Sequence, residues 1–381
     1  MIEDCPLQAS DADVAANAPQ SAGDRTLEHF LNAGFARVEP PILQPASIFL
    51  DMSGEEIRGR LFLTAGASGE ELCLRPEYTV PVCRYYLATG EAGRVAEYSY
   101  LGPVFRAQAE AAERTQTGLE SFGRNDVEAA DAEVFALALE AAGAVGGPLT
   151  ARLGDAQLFD GLLAALGLPE IWRRRLRRGV AQGKSLAAIL DRSDPSPVVQ
   201  PGVLAALERT DHAGAKALVE DLLSIAGIDA VGGRTAGEIA DRFLEQASLR
   251  SGEAVPAEKR QLLEAYLAIS GDPDEAVLKL AQLFDDARLD LGAALDVFER
   301  RNGFIAASGV DLAMTRFSAS FVRDFDYYTG FVFEARDASR REAKPAIGGG
   351  RYDGLARRLG APFDIPAVGA AIALDRLPGA R

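Results

Sequence analysis

Four short stretches set charged groups and tyrosines inside otherwise apolar runs: LRPEYT (74–79), LGPVFRAQAEAAERTQTGLESFG (101–123), RDFDYYTG (323–330) and GGGRYDG (348–354). Brought to one sheet, they would offer Glu77, Glu120, Arg106, Arg323, Tyr328 and Tyr352 to a common cleft. Carboxylates beside guanidinium groups with tyrosine walls suit a small zwitterion. The acids hold an ammonium, an arginine faces the carboxylate, and the rings line the side-chain pocket. Any one stretch taken alone reads better as a structural ion pair or a core tyrosine. Gly348-Gly349-Gly350 lacks the strand-to-helix setting of a dinucleotide fingerprint, so those glycines read as a tight turn or a close approach to a ligand. The second stretch is odd in its middle. Arg106 and Glu120 close two strand-like runs, and between them lies Ala-Gln-Ala-Glu-Ala-Ala, where a phosphate-binding loop needs cations and glycines.

The elements that must position these groups follow from pattern. Asp24–Ala33 has helical periodicity and Gly34 ends it. The proline-bearing run 34–50 suits an edge strand or an extended interface segment. Leu61–Thr64 and Glu71–Arg75 read as strands around a Gly-Ala-Ser-Gly turn, followed by a helix to Leu87 that Thr79 can cap. Glu97–Arg106 and Thr115–Gly123 form a hairpin, and Asp126–Ala142 is a helix. A mostly helical stretch spans about 156–300, with a capping box at Thr235–Glu238 and a proline-started helix at Asp272–Glu275. Strands return at 317–322, 326–335 and 367–371. Strands, then helices, then strands again argue for an α+β fold: an antiparallel sheet flanked by helices, with a helical insertion. A doubly wound parallel sheet is a poor fit.

The chain has 381 residues, 48% of them apolar, enough for a substantial core. Residues 1–23 are acidic and polar and read as a flexible tail without a secretory signal, leaving 24–381 as one domain. A net charge of −16 opposes broad contact with phosphate backbones. The dense basic cluster Trp172–Arg178 reads as a solvated helix face, a protein interface or, least well, a nucleic-acid contact. Three cysteines and two histidines have neither metal-ligand nor disulfide spacing, so neither metal nor cofactor is expected. His29 and His212 fall outside the four stretches and are poor candidates for a general base. With no apolar run near membrane-spanning length, the expected location is the cytoplasm.

In order, these segments resemble the catalytic domain of histidyl-tRNA synthetase, a class II synthetase. LRPEYTVPVCRYYL resembles its Leu-Arg-Pro-Glu-x-Thr segment. YLGPVFR with QTGLESFG resembles the motif 2 hairpin, and VRDFDYYTGFVFE and GGGRYDGL resemble the two histidine-specific segments. PAVGAAIALDRL resembles motif 3, with Arg376 at its arginine. The resemblance runs from about Arg25 to Leu377. It implies a histidine pocket: Glu77, Thr79, Gln116 and Glu120 around the amino group and imidazole, Arg106 and Arg323 near the carboxylate, Tyr328 and Tyr352 beside the ring.

The nucleotide side departs from the pattern. The motif 2 arginine is followed by Ala107-Gln108, the loop is shortened to 109–113, and Arg114 stands where the synthetase sets an aromatic residue against adenine. The sequence also stops four residues past Leu377, where the synthetase continues into an anticodon-binding domain. Both departures resemble a paralogous family, the regulatory subunits of ATP phosphoribosyltransferase. That resemblance implies no catalytic residue of its own and a short-form catalytic subunit as partner. It also implies a homodimer within a larger hetero-oligomer, histidine as ligand, and binding of neither tRNA nor membrane. It places the protein at the first step of histidine biosynthesis, where it would support activity and carry feedback. The alternative is a free-standing ligase that activates histidine or a related amino acid with ATP.

Overall fold

The computed structural model describes residues 21–53, 58–107, 109, 111–191, 254–323, 327–339 and 344–378, with short pieces between 214 and 235. The first helix, α1 (Ala22–Asn32), begins two residues earlier than periodicity suggests, because the Ser21 hydroxyl accepts from the Asp24 amide at 3.1 Å and caps it. It ends at Gly34, whose φ of +98° lets the chain turn so that Phe35 N–H reaches the Phe30 carbonyl at 3.0 Å. Strand β1 (Ala36–Arg37) and the proline segment follow, with β2 at Leu43–Pro45 and α2 at Ser47–Ser53. Strands β3 (Leu63–Ala65) and β4 (Glu71–Leu74) pair antiparallel, and β4 also takes β2, making a small three-stranded sheet. Helix α3 (Thr79–Ala88) leads into the long hairpin of β5 (Ala96–Phe105) and β6 (Glu113–Phe122) and then α4 (Val127–Val145).

Leu149–Asp155, to which the sequence reading assigned no element, is a strand, β7. The insertion after it holds α5 (Ala156–Ala165), α6 (Glu170–Ala181) and α7 (Leu186–Leu190). Two-residue strands β8 and β9 (Ala230–Val231 and Arg234–Thr235) come next, then α8 (Ala257–Ala268), β10 (Ser270–Gly271), α9 (Pro273–Asp286) and α10 (Gly292–Ala307). Asp272 caps α9 as expected, its carboxylate accepting from the Asp274 and Glu275 amides. Thr235 ends a short strand, and the remainder of the capping box through Glu238 lies outside the described residues, as does His212. Strands β11 (Thr315–Ser318), β12 (Phe331–Asp337), β13 (Ile347–Arg351) and β14 (Ala367–Ala373), with the short α11 (Leu355–Arg358), complete the body.

Among the described residues nine strands form one sheet, ordered β1-β5-β6-β14-β13-β12-β7-β11-β10. Its pairings are antiparallel except β1 with β5 and β11 with β7. Alternation sorts the two faces. Leu119, Val368, Ala370 and Ile347 join α4 and the insertion in one apolar cluster. Tyr100, Phe122, Ala367 and Tyr352 join α3 in the other.

A buried ion network ties the first face together. Arg301 of α10 donates to Asp131 of α4 at 2.8 Å and to Asp155 at 2.6 Å, and Arg351 of β13 donates to the other Asp131 oxygen. Burial opposes the charge on Arg301, yet Asp155 and Asp131 hold its pKa above the ordinary value. The Arg173–Arg178 patch is drawn into local contacts. Arg173 pairs with Glu170 at 2.6 Å, Arg177 with Asp160 at 2.6 Å, and Arg175 donates to the Ile189 carbonyl.

Candidate functional site

Alternation along β6 puts Gln116, Gly118 and Glu120 on the α3 face, and three side-chain hydroxyls converge on the Glu120 carboxyl. Thr79 Oγ1 donates to Glu120 Oε1 at 2.8 Å, Tyr100 Oη lies 3.5 Å from the same oxygen, and Tyr352 Oη donates to Oε2. Room for the carboxyl comes from the neighbouring strand. Gly369 pairs with Glu120 across the ladder, and a Cβ there would lie 1.6 Å from Oε2. Glu120 is fully buried, and burial raises its pKa to about 8 against the hydrogen bonds from Tyr352 and Thr79.

Glu77 does different work. Its two carboxylate oxygens accept from the Thr79 amide at 2.6 Å and the Val80 amide at 2.9 Å, closing the open N-terminus of α3. The expectation that Thr79 caps this helix is therefore corrected. Thr79 is its first residue, Glu77 satisfies the amides, and the threonine hydroxyl is released to Glu120. Burial raises the pKa of Glu77, and Arg106 opposes that rise. Arg106 is anchored through Nε to the Pro76 carbonyl at 2.9 Å, one residue before Glu77.

The glycine stretch is a strand, not a turn. Gly348 leaves space for the Arg323 guanidinium, which a Cβ would meet at 2.4 Å, and Gly350 leaves space for the Tyr328 ring at 3.0 Å. Arg323 Nη1 donates to the Phe333 carbonyl at 3.2 Å, and its guanidinium carbon lies 5.9 Å from the Tyr328 ring centre. Tyr328 stands 4.7 Å from Tyr327, which in turn stands 5.8 Å from Tyr352. The structure thus gathers Glu77, Thr79, Glu120, Arg106, Arg323, Tyr328 and Tyr352 around the α3 face, with Gln116 on the same side of β6.

Two buried polar atoms at this site lack a partner among the described residues: the Gln116 Oε1 acceptor and the Arg323 Nε donor. Buried groups are ordinarily satisfied, so an acceptor and a donor left over on the sheet face that carries the Glu120 carboxyl are groups available to a polar ligand. Tyr100 and Tyr327 were not singled out from sequence. The signal for Tyr100 was its β5 alternation with Tyr98, which points both rings toward α3.

On the nucleotide side, Arg114 pairs with Asp375 at 3.1 Å, and Arg376 donates to the Pro345 carbonyl at 3.0 Å. Burial, with Arg114 and Arg106 nearby, lowers the pKa of Arg376. Gln108 lies outside the described residues, and β6 begins at Glu113, so the connection from Arg106 is short. His29 lies in the last turn of α1, 3.4 Å from Glu140. The described residues contain no cluster of histidine, cysteine and acidic groups able to hold a metal, and no helix long and apolar enough to cross a membrane.

Known proteins resemble this chain in sequence and in fold. The family profile described as histidyl-tRNA synthetase matches residues 13–232 and 212–377. The ATP phosphoribosyltransferase regulatory subunit of Brucella canis is 43% identical over 357 residues, covering 91% of this chain and 94% of its own. Its Brucella abortus counterpart is 43% identical with 91% and 93% covered. Among solved structures, an ATP phosphoribosyltransferase regulatory subunit/histidyl-tRNA synthetase from Bacillus halodurans superposes with a TM-score of 0.64 at 20% identity, covering 98% of this chain and 82% of that one. A histidyl-tRNA synthetase from Nostoc gives 0.63 at 18% identity, covering 93% and 69%. At those identities the structures establish the fold.

Proposed function

The chain belongs to the family of ATP phosphoribosyltransferase regulatory subunits, which share the histidyl-tRNA synthetase fold, and from that premise we propose that it is the non-catalytic regulatory subunit of a short-form ATP phosphoribosyltransferase. It enables the catalytic subunit to perform the first step of histidine biosynthesis and carries feedback by histidine. One observation supports the ligand assignment above the rest. Glu120 is a fully buried carboxyl met by hydroxyls alone, on the same sheet face as the orphaned Gln116 and Arg323 atoms. A zwitterion with a polar ring supplies the missing groups. Its ammonium faces Glu120, its carboxylate faces Arg323 and Arg106, and its ring N–H reaches Gln116 between Tyr328 and Tyr352.

Feedback requires that histidine favour one assembly state over another, since equal binding to both shifts nothing. Self-association through the proline segment is supported by Ile42, Leu43, Phe62 and Leu63, which are exposed on and next to the small sheet. The test is phosphoribosyl transfer by the short catalytic subunit of the same organism, with and without this protein, as histidine is added. Strong stimulation that histidine reverses is the expected result, and no stimulation would refute the regulatory role. The second reading, a ligase that adenylates histidine, draws on the grouping of Arg106, Arg114 and Arg376. Histidine-dependent exchange of pyrophosphate into ATP would favour it.

A further inference from the structure

The sheet face that carries Glu120 continues to β7, four strands along in the order β6-β14-β13-β12-β7, roughly 19 Å away at about 4.8 Å per strand. Register sets Glu334 of β12 beside Arg152 of β7, and Arg152 beside Arg316 of β11. Gly154 lets the chain after β11 settle onto this face, since a Cβ there would lie 2.0 Å from the Phe321 carbonyl oxygen. The Arg152 guanidinium stacks over the Phe321 ring, 4.1 Å from its centre. Cations outnumber acids in this region, against the net charge of −16. Glu334 is one buried carboxylate shared by Arg152, at 3.1 Å, and Arg336. Burial lowers the pKa of Arg152, Glu334 opposes that, and Arg336 and Arg323 add to it. Arg316 and Lys184 are exposed and have no carboxylate partner among the described residues.

Beside these groups a cavity of about 580 Å³ opens between the sheet and the insertion, a size suited to a small ligand. Arg152 and Ser320 line it from the sheet side, and Lys184 and Ser185 from the turn before α7. Its one acid, Glu264 of α8, is met by Arg260 at 3.0 Å. We propose that this cavity is a second ligand site, for a small phosphate monoester. Arg152 brings a forked set of N–H donors and Lys184 a compact charge, and together they match a dianion, whereas a single carboxylate would leave one of them uncompensated. Ser185 Oγ accepts from the Ala188 amide at 3.2 Å, which leaves its own O–H proton to donate. Leu186 and Leu267 give the remainder of the molecule an apolar wall. Occupancy would tie the insertion to the sheet at a place the histidine pocket does not reach, and the assignment is independent of that pocket.

The test is phosphorus NMR of the full chain, titrated in turn with ribose 5-phosphate, AMP and inorganic phosphate. At least one ester should bind, seen as line broadening, and bind more tightly than inorganic phosphate. The tighter of the two esters tells a sugar phosphate from a nucleotide as the source. Lys184→Glu changes an exposed side chain without an acid partner, so it should keep the fold and weaken ester binding by at least about tenfold. Arg152→Gln should weaken it as well, and if that variant does not fold, Lys184→Glu decides alone. Histidine binding by calorimetry should be unchanged in Lys184→Glu, and a parallel loss of both ligands would overturn a separate site. No broadening with either ester at millimolar concentration, or binding of inorganic phosphate alone, would overturn the proposal. Ester binding that Lys184→Glu leaves at wild-type strength would also overturn it, by moving the anion to another group of cations.

Discussion

Glu120 and Asp131 are both fully buried acids, and what meets their charge separates a responsive group from a structural one. Asp131 has two guanidinium groups, whereas Glu120 has three hydroxyls. The difference reaches global stability. With a pKa raised to about 8, Glu120 stays protonated in the folded protein while an unfolded chain would release that proton near the usual carboxylate range. Between about pH 5 and 8 the folded state binds more protons, so its contribution to stability falls as pH rises, by about 1.4 kcal/mol per unit, and levels off above. Denaturant titrations of ligand-free wild type and Glu120→Gln should therefore diverge in pH slope across that window. Parallel slopes would show the carboxyl ionised throughout. The residue types of this site were legible in sequence, but their partners were not. A threonine at a helix start suggests a cap, yet the carboxylate two positions earlier reaches the same amides and leaves the hydroxyl free.

At the scale of elements, Arg351 and Tyr352 are neighbours that serve opposite faces. Arg351 enters the ion network with Asp131, and Tyr352 reaches Glu120. The network joins β13, α4, α10 and the start of α5, where Asp155 also caps the helix by accepting from Leu158 N–H at 3.1 Å. Replacing Arg301 by Met leaves Asp131 with one cation and Asp155 with none, and removing one partner from such a buried group costs about 3–5 kcal/mol. Chemical denaturation should show that loss, and a change under about 1 kcal/mol would mean that the network is not stabilising. None of this was visible in sequence, because Arg301 and Asp131 lie 170 positions apart and no local pattern links them. The hairpin and α4 were legible because their periodicities are strong. Strand β7 was not, although Ala151 and Leu153 are buried on either side of the exposed Arg152. Its short alternation runs directly into the apolar α5, and the sequence reading assigned it no element. The three glycines misled in the opposite sense, since their role is to receive the Arg323, Phe333 and Tyr328 side chains over a flat strand.

For the whole molecule, the sheet separates two duties. One face, with α4 and the insertion, holds the larger apolar cluster and the ion network, while the other holds the candidate ligand groups beneath α3. A change confined to the ligand face should then alter sensing without dismantling the body that a catalytic partner would recognise. Tyr328 is suited to the test. It is partly exposed, contributes a ring wall, and donates to none of the Glu120 oxygens. In an assembly reconstituted with the short catalytic subunit, Tyr328→Ala should still stimulate phosphoribosyl transfer. The histidine concentration for half-inhibition should rise at least about tenfold, the equivalent of about 1.4 kcal/mol of lost ligand contact. Unchanged inhibition would place the sensor outside this pocket, in the partner or across the interface. Loss of stimulation together with inhibition would mean that the ligand face and the assembly surface form one mechanical unit. The separation between ion network and pocket argues for retained stimulation with weakened inhibition, because at the end of β13, which serves both, Arg351 and Tyr352 are held in opposite directions by partners of their own.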